Sequence, residues 1–260
     1  MQSIHKFKII TSLVFIIVFS SCQKVITLNL NSTMSRYVIT GNITNQAAPY
    51  TVSITKTVDV NQDNIFPGVT GAKVVITDAT AGIVDTLKDM GAGVYQTNLI
   101  NGVSGHTYQL YINAASNIFV ASSTMPDAVT LDSLYTQMSP FGRSLQVVPV
   151  YTDPTKKGNY YHFTEYVNGV AGSDLNARSD QLINGQKMTS PIRTSKIESG
   201  DNVLVSMECI DSFVYNYYFT LSQTENQNSA TPANPVSNIS NGALGYFSAH
   251  TVSTKDVIVP

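Results

Sequence analysis

Apolar residues recur at every second position through much of this chain, a period that turns one face of an extended strand inward and leaves the other in water. The spacing appears at Tyr37, Ile39 and Ile43, at Tyr50, Val52 and Ile54, and returns at Ala72-Val74-Ile76, Val94-Tyr95 with Leu99, Tyr108-Leu110-Ile112 and Ile118-Val120. Between these runs lie Asn45–Pro49, Asn61–Gly71 and Asp89–Gly93, whose Gly, Pro, Asn and Asp favour turns. Six or seven short strands within about 90 residues predict a sandwich of the immunoglobulin-like kind. Small polar residues and Pro126 in Ser122–Asp127 then interrupt the pattern, because proline cannot continue a central strand.

Beyond that point Leu131–Met138, Leu145–Tyr151, Tyr160–Val167 and Asn202–Cys209 again read as strands. Asn168-Gly169, Asn184-Gly185 and Asn241-Gly242 supply tight turns that need positive φ. The expected fold is mainly β. An immunoglobulin-like β-sandwich over 36–126 precedes a second β-rich domain over 127–260 that carries one short α-helix.

Two details refine this outline. Tyr108, opening a strand after Gly102-Val103-Ser104-Gly105-His106-Thr107, occupies the place of the corner tyrosine that ties a loop to the backbone in immunoglobulin-like folds. The stretch after Asp211 is ambiguous. Phe213, Val214, Tyr217, Tyr218 and Leu221 make a helical face with Asp211 as N-cap, whereas Phe213, Tyr215, Tyr217, Phe219 and Leu221 alternate as a strand would.

The front of the chain has a different pattern. His5, Lys6 and Lys8 precede Ile9–Phe19, an apolar run broken only by Thr11 and Ser12, and Ser20-Ser21-Cys22 follows. A basic start, a short apolar run and small residues make a secretory leader, and the run is too short to span a bilayer. Small residues directly before a cysteine resemble a bacterial lipoprotein cleavage site, with Phe19 where Leu is commoner. Residues 1–21 are therefore expected to be removed, Cys22 to carry lipid, and 22–35 to act as a tether between lipid and folded body. One acyl chain holds a membrane only marginally, and a tri-acylated Cys22 would hold firmly.

Composition narrows the chemistry. The formal net charge is −2 and charged residues make up 12% of the chain, which argues against nucleic acid as partner. Only two cysteines occur, so with Cys22 lipidated there is no disulfide framework, and alternation puts Cys209 on a core face with Val203, Val205 and Met207. His106, His162 and His250 are far apart in sequence and match no metal-site spacing. His162, out of phase with Tyr161 and Phe163, is expected to be exposed. No Gly-x-Ser-x-Gly elbow or phosphate loop occurs, and nothing implies a cofactor. Asp174, Asp180, Glu198 and Asp201 fall in loops where a carboxylate pair could form.

The tail, Asn234-Pro235-Val236-Ser237-Asn238-Ile239-Ser240-Asn241-Gly242-Ala243-Leu244-Gly245-Tyr246-Phe247, carries a more specific likeness. Together with the cysteine site, the early strand with Gly41, Gly71-Ala72-Lys73-Val74 and Leu131-Asp132-Ser133-Leu134, it resembles a family of Bacteroidota lipoproteins, domain of unknown function 4249 (DUF4249). The resemblance implies a helix over the ambiguous segment. It implies no catalytic activity, but it does imply a neighbourhood, since such lipoproteins are typically encoded beside TonB-dependent outer-membrane transporters. Relatives usually carry acids soon after the cysteine; Gln23-Lys24-Val25-Ile26 has none, which leaves surface or periplasmic display open. Asp85-Thr86-Leu87 and Asp132-Ser133-Leu134 resemble the O-glycosylation acceptor of the same bacteria.

Three function classes follow: a non-enzymatic binding or accessory component of a TonB-dependent nutrient transport system, a structural or adhesive surface module, and a hydrolase using loop carboxylates. The expected contact residues for a partner or ligand are Tyr215, Tyr217, Tyr218, Tyr246 and Phe247, because tyrosines pair an apolar body with a polar tip. The expectation at the front of the chain is directly testable. Cys22→Ala should abolish the lipidated form and release the protein from membranes or trap it uncleaved; mass spectrometry showing a mature wild-type chain of unmodified mass would contradict it.

Overall fold

The computed structural model describes residues 35–59, 62–140, 142, 144–225 and 234–260. The expected leader, Cys22 and nearly all of the tether lie outside the described residues. Ser35–Pro260 cluster as one compact unit.

Among the described residues the chain is mainly β, with multiple sheets and one α-helix. In order come β1 (Tyr37–Thr44), β2 (Thr51–Lys56), β3 (Lys73–Asp78), β4 (Ile83–Thr86), β5 (Lys88–Asp89), β6 (Val94–Gln96), β7 (Thr107–Ala114) and β8 (Asn117–Thr124). There follow β9 (Leu131–Met138), β10 (Leu145–Thr152), β11 (Tyr160–Val167), β12 (Val170–Ala171), β13 (Asn176–Ser179), β14 (Lys187–Met188), β15 (Asn202–Ile210), α1 (Ser212–Glu225) and β16 (Leu244–Ile258).

A long sheet runs in the order β12-β11-β15-β16-β1-β2-β6-β5, with β13 also on β11. Sheet β4-β3-β7-β8 packs its inner face on one half of it, and sheet β14-β10-β9 on the other. Alternation makes each core. In β1 the odd positions Ile39, Gly41 and Ile43 point inward, and Tyr108, Leu110 and Ile112 of β7 meet them from across the sandwich. The second core gathers Tyr161 and Phe163 of β11, Val203, Val205, Met207 and Cys209 of β15, and Tyr151 of β10. Cys209 is a free thiol only 3% exposed, and burial pushes its pKa up.

The corner tyrosine behaves as its position requires. The Tyr108 hydroxyl donates to Asn101 O at 2.9 Å and accepts from Val103 N at 2.8 Å, pinning the loop ahead of β7. Asn168-Gly169 and Asn241-Gly242 take positive φ at both residues, as hairpin turns demand. The β7–β8 turn uses Ala115 (φ 47°) and Ser116 (φ 69°) in the same role, although neither residue favours that conformation.

Strand β16 joins the two halves. Its first part pairs parallel with β1, from Val38↔Leu244 to Thr44↔His250. Its second part pairs antiparallel with β15, from Cys209↔Thr251 to Asn202↔Ile258. Residues 126 and 127 lie between β8 and β9, yet the first core also needs Ile239, Ala243, Phe247 and Ala249 from the end of the chain. Gly245 permits this close approach. It sits at φ +89°, and a Cβ there would stand 2.0 Å from Ile39 O.

Two outcomes follow. Residues 35–126 expressed alone lack the β16 ladder and four core residues, so they should show no cooperative unfolding by circular dichroism; a sharp transition would mean that the first core folds by itself. Gly245→Ala should destabilise the whole protein by more than the about 1–3 kcal/mol of a forced positive φ, because the clash with Ile39 O adds to that strain; denaturant midpoints would read it.

Candidate functional site

The helix resolves the ambiguous segment and builds the site. Asp211 caps it, its Oδ1 accepting from Phe213 N and Val214 N, both at 2.9 Å. The helix lies on the outer face of the long sheet, held by rings. Tyr215 meets Tyr160 at 4.9 Å between centroids, Tyr217 meets Tyr246 at 4.9 Å, and Tyr218 stacks on His162 at 3.9 Å and 9°. Phe213 and Phe219 are left 66% and 46% exposed.

Beside the helix the same face carries a cavity of about 490 Å³. Its floor comes from even-numbered positions on adjacent strands, brought together by register. His162 faces Glu208, Thr164 faces Ser206 and Tyr166 faces Leu204 across β11 and β15. Glu208 faces Val252 and Ser206 faces Thr254 across β15 and β16, and Thr44 faces His250 across β1 and β16. Asn42, Gln46, Tyr218 and Tyr246 complete the lining.

The electrostatics are set by one acid and two imidazoles. His162 Nδ1 lies 2.9 Å from Glu208 Oε2. Burial works against the Glu208 charge, but the surrounding interactions, led by the His162 hydrogen bond, outweigh it and hold the carboxyl below its ordinary range. A carboxylate can only accept, so His162 Nδ1 carries the proton and donates. Burial pushes His250 down despite Glu208 and Asp211, which favours its neutral imidazole; its Nδ1 is hydrogen-bonded to Ser248 Oγ at 2.9 Å. Burial raises the phenols of Tyr218 and Tyr246, which keep their protons and share a 2.8 Å hydrogen bond from Tyr218 to Tyr246.

Tyr218 and Tyr246 therefore line the cavity and Tyr217 backs it, while Tyr215 stands farther along the helix with Tyr160 and Phe219. Phe247 is a correction. It is fully buried in the first core, because alternation in β16 turns it away from Tyr246, so it has no surface to offer a partner. His162 is another: at 7% exposure it is enclosed by Tyr218 and paired with Glu208. Its phase in β11 was legible, but the helix above it and the acid beside it come from register and packing.

The loop acids do not converge on this cavity. Asp180 accepts from Gly158 N and Asn159 N, and Asp201 from Glu198 N and Asn168 Nδ2, which ties their loops down. Asp85 is likewise committed, one oxygen accepting from the amides of Asn98, Leu99 and Ile100. A larger cavity of about 650 Å³ lies under the loop around Ile192–Ile197, lined in part by Asp174 and Gln146. Near its wall the buried Glu165 accepts from Ser195 N, and burial raises its carboxyl above the ordinary range. Among the described residues no three of His, Cys, Asp and Glu gather as a metal ion would require.

The family model described as Domain of unknown function (DUF4249) matches residues 23–256. The chain belongs to that family. The comparison with curated proteins returned no match. Among solved structures, the selenomethionine-substituted chicken interferon gamma receptor alpha chain aligns at 9% identity over 67% of this chain and 88% of that one, with a TM-score of 0.22.

The His162–Glu208 pair makes a measurable prediction. A carboxyl whose folded pKa is depressed contributes stability above its unfolded pKa and loses it as pH falls through the folded value. Glu208→Gln should lower stability by about 1 kcal/mol at neutral pH, with the difference from wild type shrinking in acid. Denaturant melts across that range, with no narrowing of the gap, would refute the assignment.

Proposed function

We propose that this protein is a lipid-anchored, non-enzymatic binding or accessory component of the outer membrane, working beside a TonB-dependent transporter. In this reading the cavity on the outer face of the long sheet receives a ligand. The observation that carries it is that cavity: fourteen side chains from four strands, the β1–β2 connection and a helix, dominated by hydroxyl, amide, imidazole and phenol groups. Convergent polar groups fix the orientation of a bound small molecule, and the aromatic rings beside them add apolar contact.

Binding is favoured over hydrolysis by the donor set. Carboxylate-based glycoside hydrolysis uses two acids flanking the bond, and among the described residues Glu208 is the only acid in this lining. The nearby Ser248 is 1% exposed, which leaves no room for nucleophilic attack. Anchoring rests on Ser20-Ser21-Cys22, and the transporter on the neighbourhood implied by the family likeness. The exposed helix rings Phe213 and Phe219 suit a partner contact.

Crosslinking in intact cells followed by capture of this protein should recover an outer-membrane barrel. Phe219→Ala should reduce that recovery while leaving stability within about 0.5 kcal/mol of wild type, as for other surface changes. Absence of any barrel with the wild-type chain would sink the transporter reading.

A further inference from the structure

The cavity on the outer face has a charge pattern that narrows its occupant. Among the described residues no Lys or Arg lines it, and Glu208, the one acid there, accepts a hydrogen bond from His162 that favours its ionised form. An anionic ligand would meet that carboxylate with no fixed cation to offset it, a repulsion that specificity by exclusion exploits. A simple cation is served less well than it first appears, because the Oε2 of Glu208 already accepts from His162, whose ring face is covered by Tyr218.

What remains in the lining is a dense set of groups able to accept and donate at once. Asn42 and Gln46 offer carboxamides, and three threonines and a serine offer hydroxyls. All but Gln46 stand on the same face of adjacent strands and form a grid with spacings of about 5 Å across strands and about 7 Å along them. A ligand bearing several hydroxyls can satisfy such a grid, whereas an apolar ligand would leave its polar groups unpaired at a cost of about 1–3 kcal/mol each. The phenols of Tyr218 and Tyr246 add rigid, half-apolar walls.

We infer that this cavity binds a neutral, hydroxyl-rich ligand of the saccharide class, with Glu208 and Asn42 as hydroxyl partners. This deepens the ligand-binding reading above and rests on it. The step is recognition only, with no bond made or broken.

Calorimetric titration of the full-length protein in detergent with cellobiose, maltose and xylobiose, with digalacturonate as the anionic counterpart and choline as the cationic probe, tests the inference. At least one neutral disaccharide should bind, digalacturonate at least about tenfold more weakly, and Glu208→Gln and Asn42→Ala should each weaken the neutral ligand by at least about tenfold. Melting curves of both variants show whether any loss reflects unfolding, and Asn42→Ala, at a partly exposed position, keeps the test open if Glu208→Gln is too unstable. Choline binding that Glu208→Gln abolishes, with no disaccharide bound, would overturn the saccharide class while leaving a ligand site in place. Stronger binding of digalacturonate than of its neutral counterparts would overturn it as well. If no probe binds, both the saccharide inference and the ligand-binding reading fall, whereas recovery of a transporter is judged separately.

Discussion

The structure depends on a single strand that joins the two halves of the long sheet. Leu244–His250 of β16 lie parallel to β1, and Thr251–Ile258 lie antiparallel to β15, so one continuous backbone satisfies donors and acceptors contributed by both ends of the chain. Phe247 is the pivot of its inner face. It fills the first core where Gly41 faces it, and a Cβ on Gly41 would stand only 3.1 Å from the Phe247 ring. The tail that carries Asn238 supports the same point, its side chain accepting from Phe247 N and donating to Phe247 O.

The outer face is a consequence of that arrangement. Once Phe247 and Ala249 turn inward, Tyr246, Ser248 and His250 must turn outward, and pairing with β1 and β15 brings them beside Asn42, Thr44, Glu208 and His162. A sheet face of this polarity would ordinarily be solvated, but α1 covers part of it through stacked and tilted rings. Partial burial then strengthens the interactions beneath the helix, raising the phenols and lowering His250, while the hydrogen bond to His162 keeps Glu208 ionised. The cavity combines a rigid floor of strands with a wall of aromatic side chains.

Much of this was legible in the residues. Period-two alternation marks most of the strands, Tyr108 marks the corner it closes with Asn101 and Val103, and the alternation of Val203–Cys209 places the thiol in a core. Those features are local, set by side-chain period and by hydrogen bonds within a few residues. Even so, local chemistry had limits: Ala115-Ser116 turns tightly because the β7–β8 register leaves two residues for the reversal, a constraint invisible in the residues themselves.

The alternation by itself determined that this chain builds β-sheets with defined inner faces, since burying every second side chain is the only way such a sequence excludes apolar surface from water. Tertiary structure decided which strands meet. Pairing joins residues far apart in sequence, such as Ile39 with Gly245 and His162 with Glu208, and no local period encodes a partner's identity. It also decided that Phe213–Leu221 coil rather than extend. Both periods fit the aromatic positions, and the outcome turned on the Asp211 cap and on rings at helical spacing that meet Tyr160, His162 and Tyr246 on the sheet below. The site belongs to that second level, because its acid, imidazoles and phenols become neighbours only when long-range register and helix packing are both in place.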